Sequence, residues 1–394
     1  MKKIILLLSL FLLFGCGRNL LPTGTIQQQS FSETIPFNFD KGLPIIKVTI
    51  KGVDYNFMVD TGAPTVVSPE IAAILKPEKV KKSTVGDSQG NNGKQEFIVV
   101  DEIKIGNLAF NDIGAVVIDM KQSFEVKCIG LDGLIGSNQM SNAIWEFDYT
   151  NKNITITDDF ANFKEPKGAS KLSFIDNSLQ KTPLVKVQID STQSSYLTFD
   201  TGANGGINLR LSQFKETIKE YQQAKSYGSS SSGIYGVGKS DTITIAKIPF
   251  MKVGNLKLKN QLVNFDEMAS FVMGNSFLRN YKTTINWKTK NIYLLPQETE
   301  AQKSFETLGL SIRYINNKPT VALLHQNSDA EKVGLQLGDI ILDIDGNDLT
   351  QLSEEQACNY VFNNILNKKK EASITFIRNN EKQTVKIATK VLLE

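Results

Sequence analysis

Short runs in which every second residue is apolar recur through most of the chain. Pro44-Ile45-Ile46-Lys47-Val48-Thr49-Ile50 and Pro183-Leu184-Val185-Lys186-Val187-Gln188-Ile189 are the clearest pair. Their period of two predicts half-buried strands, and the Gly and Asn between the runs predict tight turns. Each run is followed by a second apolar stretch, Phe57-Met58-Val59 or Leu197-Thr198-Phe199. A helical period is rare, and Leu211 to Gln223 is its clearest candidate.

These runs belong to an internal repeat. Besides the pair above, Ile105-Gly106-Asn107-Leu108 matches Val253-Gly254-Asn255-Leu256, and Leu134-Ile135-Gly136 matches Val272-Met273-Gly274. Finally, Phe147 to Ile154 matches Ile285 to Ile292. The offsets, 139, 148, 138 and 138 residues (44 to 183, 105 to 253, 134 to 272, 147 to 285), keep the copies nearly in register. The second copy is longer at residues 226–238, with Ser229 to Ser232 at the tip. Two all-β lobes, 32–160 and 170–297, are therefore expected as one bilobal unit, followed by a polar linker from Gln297 to Lys303.

The pattern changes from Ser304 onward. Ser353 with Gln356 forms a capping box ahead of an amphipathic helix through Ala357, Tyr360, Val361 and Ile365. Two strands, Ala372 to Arg378 and Lys382 to Ile387, flank an Asn379-Asn380 turn, and Lys368 to Lys370 suits a helix C-terminus. This is an α+β unit covering 304–394, so the whole chain is mainly β with a mixed C-terminal domain.

At the other end, Lys2-Lys3 precede an apolar run from Ile4 to Phe14, too short to span a bilayer. The run ends in Leu13-Phe14-Gly15-Cys16, which resembles the bacterial lipoprotein box. The resemblance implies a signal peptide over 1–15, acyl chains on Cys16 and stable membrane attachment. Residues 16–31 are polar and aperiodic and are expected to be a tether. The implied place is the bacterial cell envelope, lipid-anchored, by default at the outer membrane facing the periplasm.

Composition narrows the chemistry. A chain of 394 residues, 41% apolar and 22% charged with a formal charge of +3, suits a soluble multidomain protein and offers no basic surface for nucleic acid. One histidine, His325, cannot build a multi-His zinc site, and no G-x-S-x-G nucleophile motif is present. No metal or cofactor is expected. Cys128 and Cys358 fall in different expected domains and are read as buried, unpaired thiols.

Within the repeat each copy carries an Asp-Thr-Gly-Ala run, Asp60-Thr61-Gly62-Ala63 and Asp200-Thr201-Gly202-Ala203. Two carboxylates close together cannot both ionise cheaply, so the pair keeps one proton. The charged member can then take a proton from water while the protonated member polarises a carbonyl. Gly62 and Gly202 leave room for water or substrate beside them. The tripeptides and their setting resemble the aspartic peptidases, specifically the retropepsin-like branch. That resemblance implies a double β-barrel with one catalytic Asp per lobe, Asp60 and Asp200. It also implies that Thr61 and Thr201 cross-link the lobes and that the apolar-apolar-Gly strands support the catalytic loops. The Gly-rich turns at Gly86 to Gly93 and Gly228 to Gly236 take the place of the family's flaps. Ala63 and Ala203 stand where pepsin-like enzymes carry Ser or Thr, which implies a mildly acidic to near-neutral optimum.

The run from Ser328 to Gly346, SDAEKVGLQLGDIILDIDG, resembles the PDZ family. Gly309-Leu310-Ser311-Ile312 lines up with that family's loop for peptide C-termini, although Ser311 replaces the usual second Gly. The expected activity is therefore that of a membrane-anchored aspartic endopeptidase acting on polypeptides outside the cytoplasm. Its PDZ-like module would recruit substrate or regulate, and an intramolecular dyad makes a monomer sufficient. The alternatives are a non-catalytic peptide-binding or scaffold lipoprotein of the same fold, or a purely structural envelope lipoprotein.

Overall fold

The computed structural model describes residues 20–177, 179–190, 193–229, 231–267, 271–297, 304–363, 366 and 369–394, and strands dominate them. In the first lobe strand Ile45–Ile50 pairs antiparallel with Val53–Asp60. The two-residue turn between them places Lys51 and Gly52 at φ 51° and 82°, the left-handed region that tight hairpins need. The long hairpin Asn92–Ile105 with Leu108–Val117 closes the lobe. The second lobe repeats the plan with Pro183–Ile189 against Gln193–Phe199, and Asp241–Val253 against Leu256–Asp266.

The lobes are joined by a sheet rather than a loop. Strand Ile144–Asp148 pairs with its repeat equivalent Tyr281–Asn286, placing Trp145 opposite Ile285. On one side the sheet continues through Asn153–Thr157 to Ser32–Pro36, and on the other through Asn291–Pro296 to Ser170–Asp176. One apolar cluster runs through both lobes, with Phe57, Trp145, Phe147 and Phe199 fully buried in it. A shared core of this kind resists relative movement of the lobes.

The C-terminal unit has its own core around Ile341, Ile374 and Phe376. Its strands include Leu310–Ile315, Lys318–His325, Ile340–Ile344, Glu371–Arg378 and Glu381–Ala388, with helix Glu354–Asn363 packed beside them. The capping box forms as expected: the Ser353 N–H donates to Gln356 Oε1 at 2.8 Å and the Gln356 N–H to Ser353 Oγ at 3.3 Å. Asn379 and Asn380 both take positive φ in the turn between the last long strands. Lys370 pairs with Glu306 at 2.7 Å, whereas Lys368 and Ile365 lie outside the described residues.

Three expectations need correction. Cys128 and Cys358 are bonded to each other across a sequence separation of 230 residues. The fold lays helix Phe124–Ile129 of the first lobe against helix Glu354–Asn363, a contact that assignment to separate domains had hidden. Leu211 to Gln223 is not one helix but a turn of helix, Leu211–Phe214, and a 3-10 turn, Thr217–Glu220. Phe214 and Ile218 anchor these turns in the core, and from Gln223 pairing with Asp241–Val253 takes over. Residues 20–31 are no free tether either. Leu21 is buried, the Gly114 N–H donates to Pro22 O at 2.8 Å, and Thr25–Ile26 pairs with Leu108–Val117. Cys16, the signal segment 1–15 and linker residues 298–303 lie outside the described residues. Among the described residues no helix is long and apolar enough to cross a membrane.

Candidate active site

Each Asp-Thr-Gly tripeptide sits at the end of a buried strand flanked by a parallel partner. Val59 and Asp60 pair with Ile135 and Gly136, and Thr198 and Phe199 pair with Val272 and Met273. The apolar-apolar-Gly runs are thus strands beneath the two loops, where the resemblance to the aspartic peptidases implied them.

The threonines tie the lobes together. Thr61 Oγ1 accepts the Thr201 N–H at 3.0 Å and donates to Phe199 O at 2.6 Å. Thr201 Oγ1 reciprocates, accepting the Thr61 N–H at 3.1 Å and donating to Val59 O at 2.7 Å. All four bonds are buried, where an unmade bond costs the full desolvation of its partner. Behind them Ser137 Oγ donates to Thr61 O at 2.6 Å, and Asn275 Nδ2 donates to Thr201 O at 2.7 Å. Tyr149, held as a phenol because burial raises its pKa, donates to Asn275 Oδ1 at 2.9 Å. Ser137 and Asn275 were absent from the sequence reading. The signal was available, since both directly follow the apolar-apolar-Gly run at the repeat offset.

The tripeptides face each other crosswise. A Cβ on Gly62 would stand 2.6 Å from the Asp200 carboxylate, and one on Gly202 would collide with the Asp60 carboxylate. Only glycine fits at either place, and the reason is the opposite lobe rather than local φ. The N–H of Gly62 donates to Asp60 Oδ1 at 2.7 Å and that of Gly202 to Asp200 Oδ1 at 2.8 Å. Asp60 is buried and Asp200 half-buried. Burial first, and then the Asp200 charge, hold Asp60 well above the usual carboxylate range, and burial raises Asp200 as well. The loop N–H bonds pull in the other direction and lose. The pair therefore retains a proton at pH values where exposed carboxyls have lost theirs. Among the described residues no three His, Cys, Asp or Glu side chains converge as a metal site.

Two hairpins approach this dyad. Val85 from the first and Ile234 from the second share one apolar cluster with Ala63, the residue after the first tripeptide. Their tips interlock. Asp87 Oδ1 accepts the Gln89 and Asn91 N–H groups of its own turn, each at 2.9 Å, while Oδ2 accepts the Tyr235 N–H at 3.1 Å. Ser231 Oγ donates to Gln89 Oε1 at 2.6 Å, and Gln95 Nε2 to the Tyr235 hydroxyl at 2.9 Å. Of the described residues in the serine run, Ser229 and Ser231 are held by hydrogen bonds. The Ser229 N–H donates to Ala322 O of the C-terminal unit at 2.8 Å.

That last bond belongs to a larger junction. Strand Gln223–Gly228 of the second hairpin pairs with Lys318–His325, joining Ser226 to His325 and Gly228 to Leu323. Gly228, at φ 118°, lies so close to Ala322 O that a side chain is excluded. His325 Nδ1 lies 2.6 Å from Ser226 Oγ, and burial alone lowers the imidazole pKa to about 4, so the ring is neutral near pH 7. Gly309-Leu310-Ser311-Ile312 opens strand Leu310–Ile315, with Gly309 at φ 104° and a register shift between Ser311 and Ile312. One edge of this strand pairs with Lys318–His325, and the other has no strand neighbour among the described residues.

No curated protein is significantly similar to the chain. Residues 46–138, which hold the first tripeptide and its supporting strand, match the aspartyl protease family model, and residues 307–389 match the PDZ domain.

Proposed function

We propose that the chain is a lipid-anchored aspartic endopeptidase that hydrolyses peptide bonds of proteins outside the cytoplasm. The observation that carries this reading is the crosswise placement of Asp60 and Asp200, each beside the glycine that leaves room for the other. The charged carboxylate takes a proton from a water held between them, and the water oxygen attacks the scissile carbonyl carbon. The protonated carboxyl hydrogen-bonds the carbonyl oxygen and protonates it as the tetrahedral diol forms. Collapse of the diol returns a proton to the departing amine. The interlocked hairpins open for an extended peptide and close to exclude water. Ala63 and Ala203 contribute no hydroxyl to the carboxylates, which favours the shared proton and sets the optimum between mildly acidic and near-neutral pH.

Cys16 carries the acyl anchor in this reading, and the enzyme works in the bacterial cell envelope, at the outer membrane facing the periplasm. Both carboxylates come from one chain, so a monomer suffices. The PDZ unit handles peptides, including C-termini at Gly309 to Ile312.

The test is cleavage of a peptide library across pH by the chain lacking residues 1–19, beside Asp60→Asn and Asp200→Asn variants. Cleavage by the parent alone is expected. Equal cleavage by parent and variants, or a maximum near pH 2, overturns the reading. A pepstatin-type inhibitor that raises the Tm of a chain that never cleaves would replace it with peptide binding alone.

A further inference from the structure

Strand Leu310–Ile315 and helix Glu354–Asn363 form two walls of the C-terminal unit, and a segment of the first lobe lies across both. The Phe124 ring stacks on Tyr314 of the strand, centroids 4.7 Å apart. The next residue, Glu125, pairs with Arg313 at 2.5 Å, with side chains only 10% and 19% exposed. Lys127 then pairs with Glu354 at 2.5 Å, and Cys128 is bonded to Cys358, both on the helix. Phe124 packs against the apolar cluster of the PDZ unit although it belongs to the first lobe.

The fit is good in shape and incomplete in polarity. Glu125 Oε1, the Tyr314 hydroxyl and the Tyr360 hydroxyl are buried without a hydrogen-bond partner, and the two tyrosines are close enough to influence each other electrostatically. Buried unpaired polar atoms cost stability, which offsets part of what the stacked rings and the two ion pairs contribute. The disulfide keeps the segment in place at a high effective concentration.

We propose that Ser123 to Cys128 is an internal ligand of the PDZ groove, and that the partner it mimics is a peptide with an aromatic side chain followed directly by a carboxylate. That partner enters once the Cys128–Cys358 bond is reduced. The reductant is a dithiol: it delivers two electrons and two protons, both cysteines become thiols, and the dithiol closes to its own disulfide. The inference rests on the reading of the C-terminal unit as a peptide-binding module and is independent of whether Asp60 and Asp200 cut.

The experiment uses the chain from residue 20 onward carrying Asp60→Asn, so that the probe survives. A fluorescein-labelled decapeptide containing Phe-Glu is titrated by anisotropy against the oxidised chain and the dithiothreitol-reduced chain, with thiols counted. Reduction should tighten binding at least about tenfold. In the reduced chain Arg313→Glu should move preference to a Phe-Lys decapeptide. Should reduction melt the C-terminal unit, as read by circular dichroism, the oxidised Phe124→Ala, Glu125→Ala variant decides, because it empties the groove with the bond intact. Equal affinity in both redox states of a folded chain, or no binding by the emptied groove, overturns the proposal. Peptidase activity of the unsubstituted chain is read separately, so failure of cleavage and failure of binding are distinguished.

Discussion

The two lobes agree closely at the dyad and diverge at their edges. Around the tripeptides three features occur twice: the threonine exchange, the glycine beside the opposing carboxylate, and the donor from the residue after the apolar-apolar-Gly strand. Away from the centre the copies have separate roles. The first lobe contributes helix Phe124–Ile129, which reaches the PDZ unit and is bonded to it. The second contributes a longer hairpin whose strand joins the PDZ sheet. Pseudo-symmetry persists where one lobe must complete the other, and it lapses where each lobe meets the third unit.

The symmetric half of this comparison is broken most severely at the carboxylates. Asp60→Asn and Asp200→Asn should each lower kcat/KM by at least about 10³-fold, because either loss removes both acid and base function. Neither should lower the Tm at pH 7. A carboxyl whose folded pKa is raised loses stability for the chain as pH rises through that pKa, and the amide removes this loss. A large effect from only one variant would show that the lobes are not chemically equivalent.

The asymmetric half is probed by pH. His325 has its folded pKa lowered from 6.5 to about 4, so its contribution is complete above pH 6.5 and is lost as pH falls toward 4. The loss is on the order of 3 kcal/mol, and hydrogen exchange should show it first at Gln223 to Gly228, leaving the first hairpin unchanged. His325→Gln should flatten this dependence.

Smaller again, Thr61→Ala and Thr201→Ala should each cost about 2 kcal/mol in urea unfolding, by leaving a buried N–H and a buried carbonyl unpaired. The double variant should cost slightly less than the sum, since both single variants remove the same 3.4 Å contact between the Thr201 and Thr61 hydroxyls. Clear inequality between the single variants would weaken the claim of symmetry at the centre. Smallest, Asp87→Ala removes two turn bonds and the bond to Tyr235, roughly 1 kcal/mol of preference for closed hairpins. A change of several-fold in KM with kcat nearly constant is expected, together with faster exchange at both tips.

Much of this fold was legible because its signals are local. Alternation in Pro44 to Ile50 and Pro183 to Ile189 marks strands, Asn379-Asn380 marks a turn, and Ser353 with Gln356 marks a helix start. The repeat then converts local signals into architecture, because similar segments fold alike and their two Asp-Thr-Gly runs become partners. Leu211 to Gln223 misled for the same reason in reverse: its apolar spacing suits one helix, but Phe214 and Ile218 are buried from two separate turns, Leu211–Phe214 and Thr217–Glu220, and only Gln223 enters the strand that follows.

By itself, then, the sequence determined the mainly β class, the doubled lobe, the C-terminal unit and the two tripeptides that come together at the centre. Only the tertiary structure decided that Cys128 meets Cys358, that Leu21 and Thr25–Ile26 fasten to the first lobe, that Asp87 holds Tyr235, and that strand Gln223–Gly228 continues into the PDZ sheet. Each of these contacts joins residues about 90 to 230 positions apart through a few side-chain or backbone atoms. No period or motif marks such a contact, because its energy exists only once both surfaces have been built.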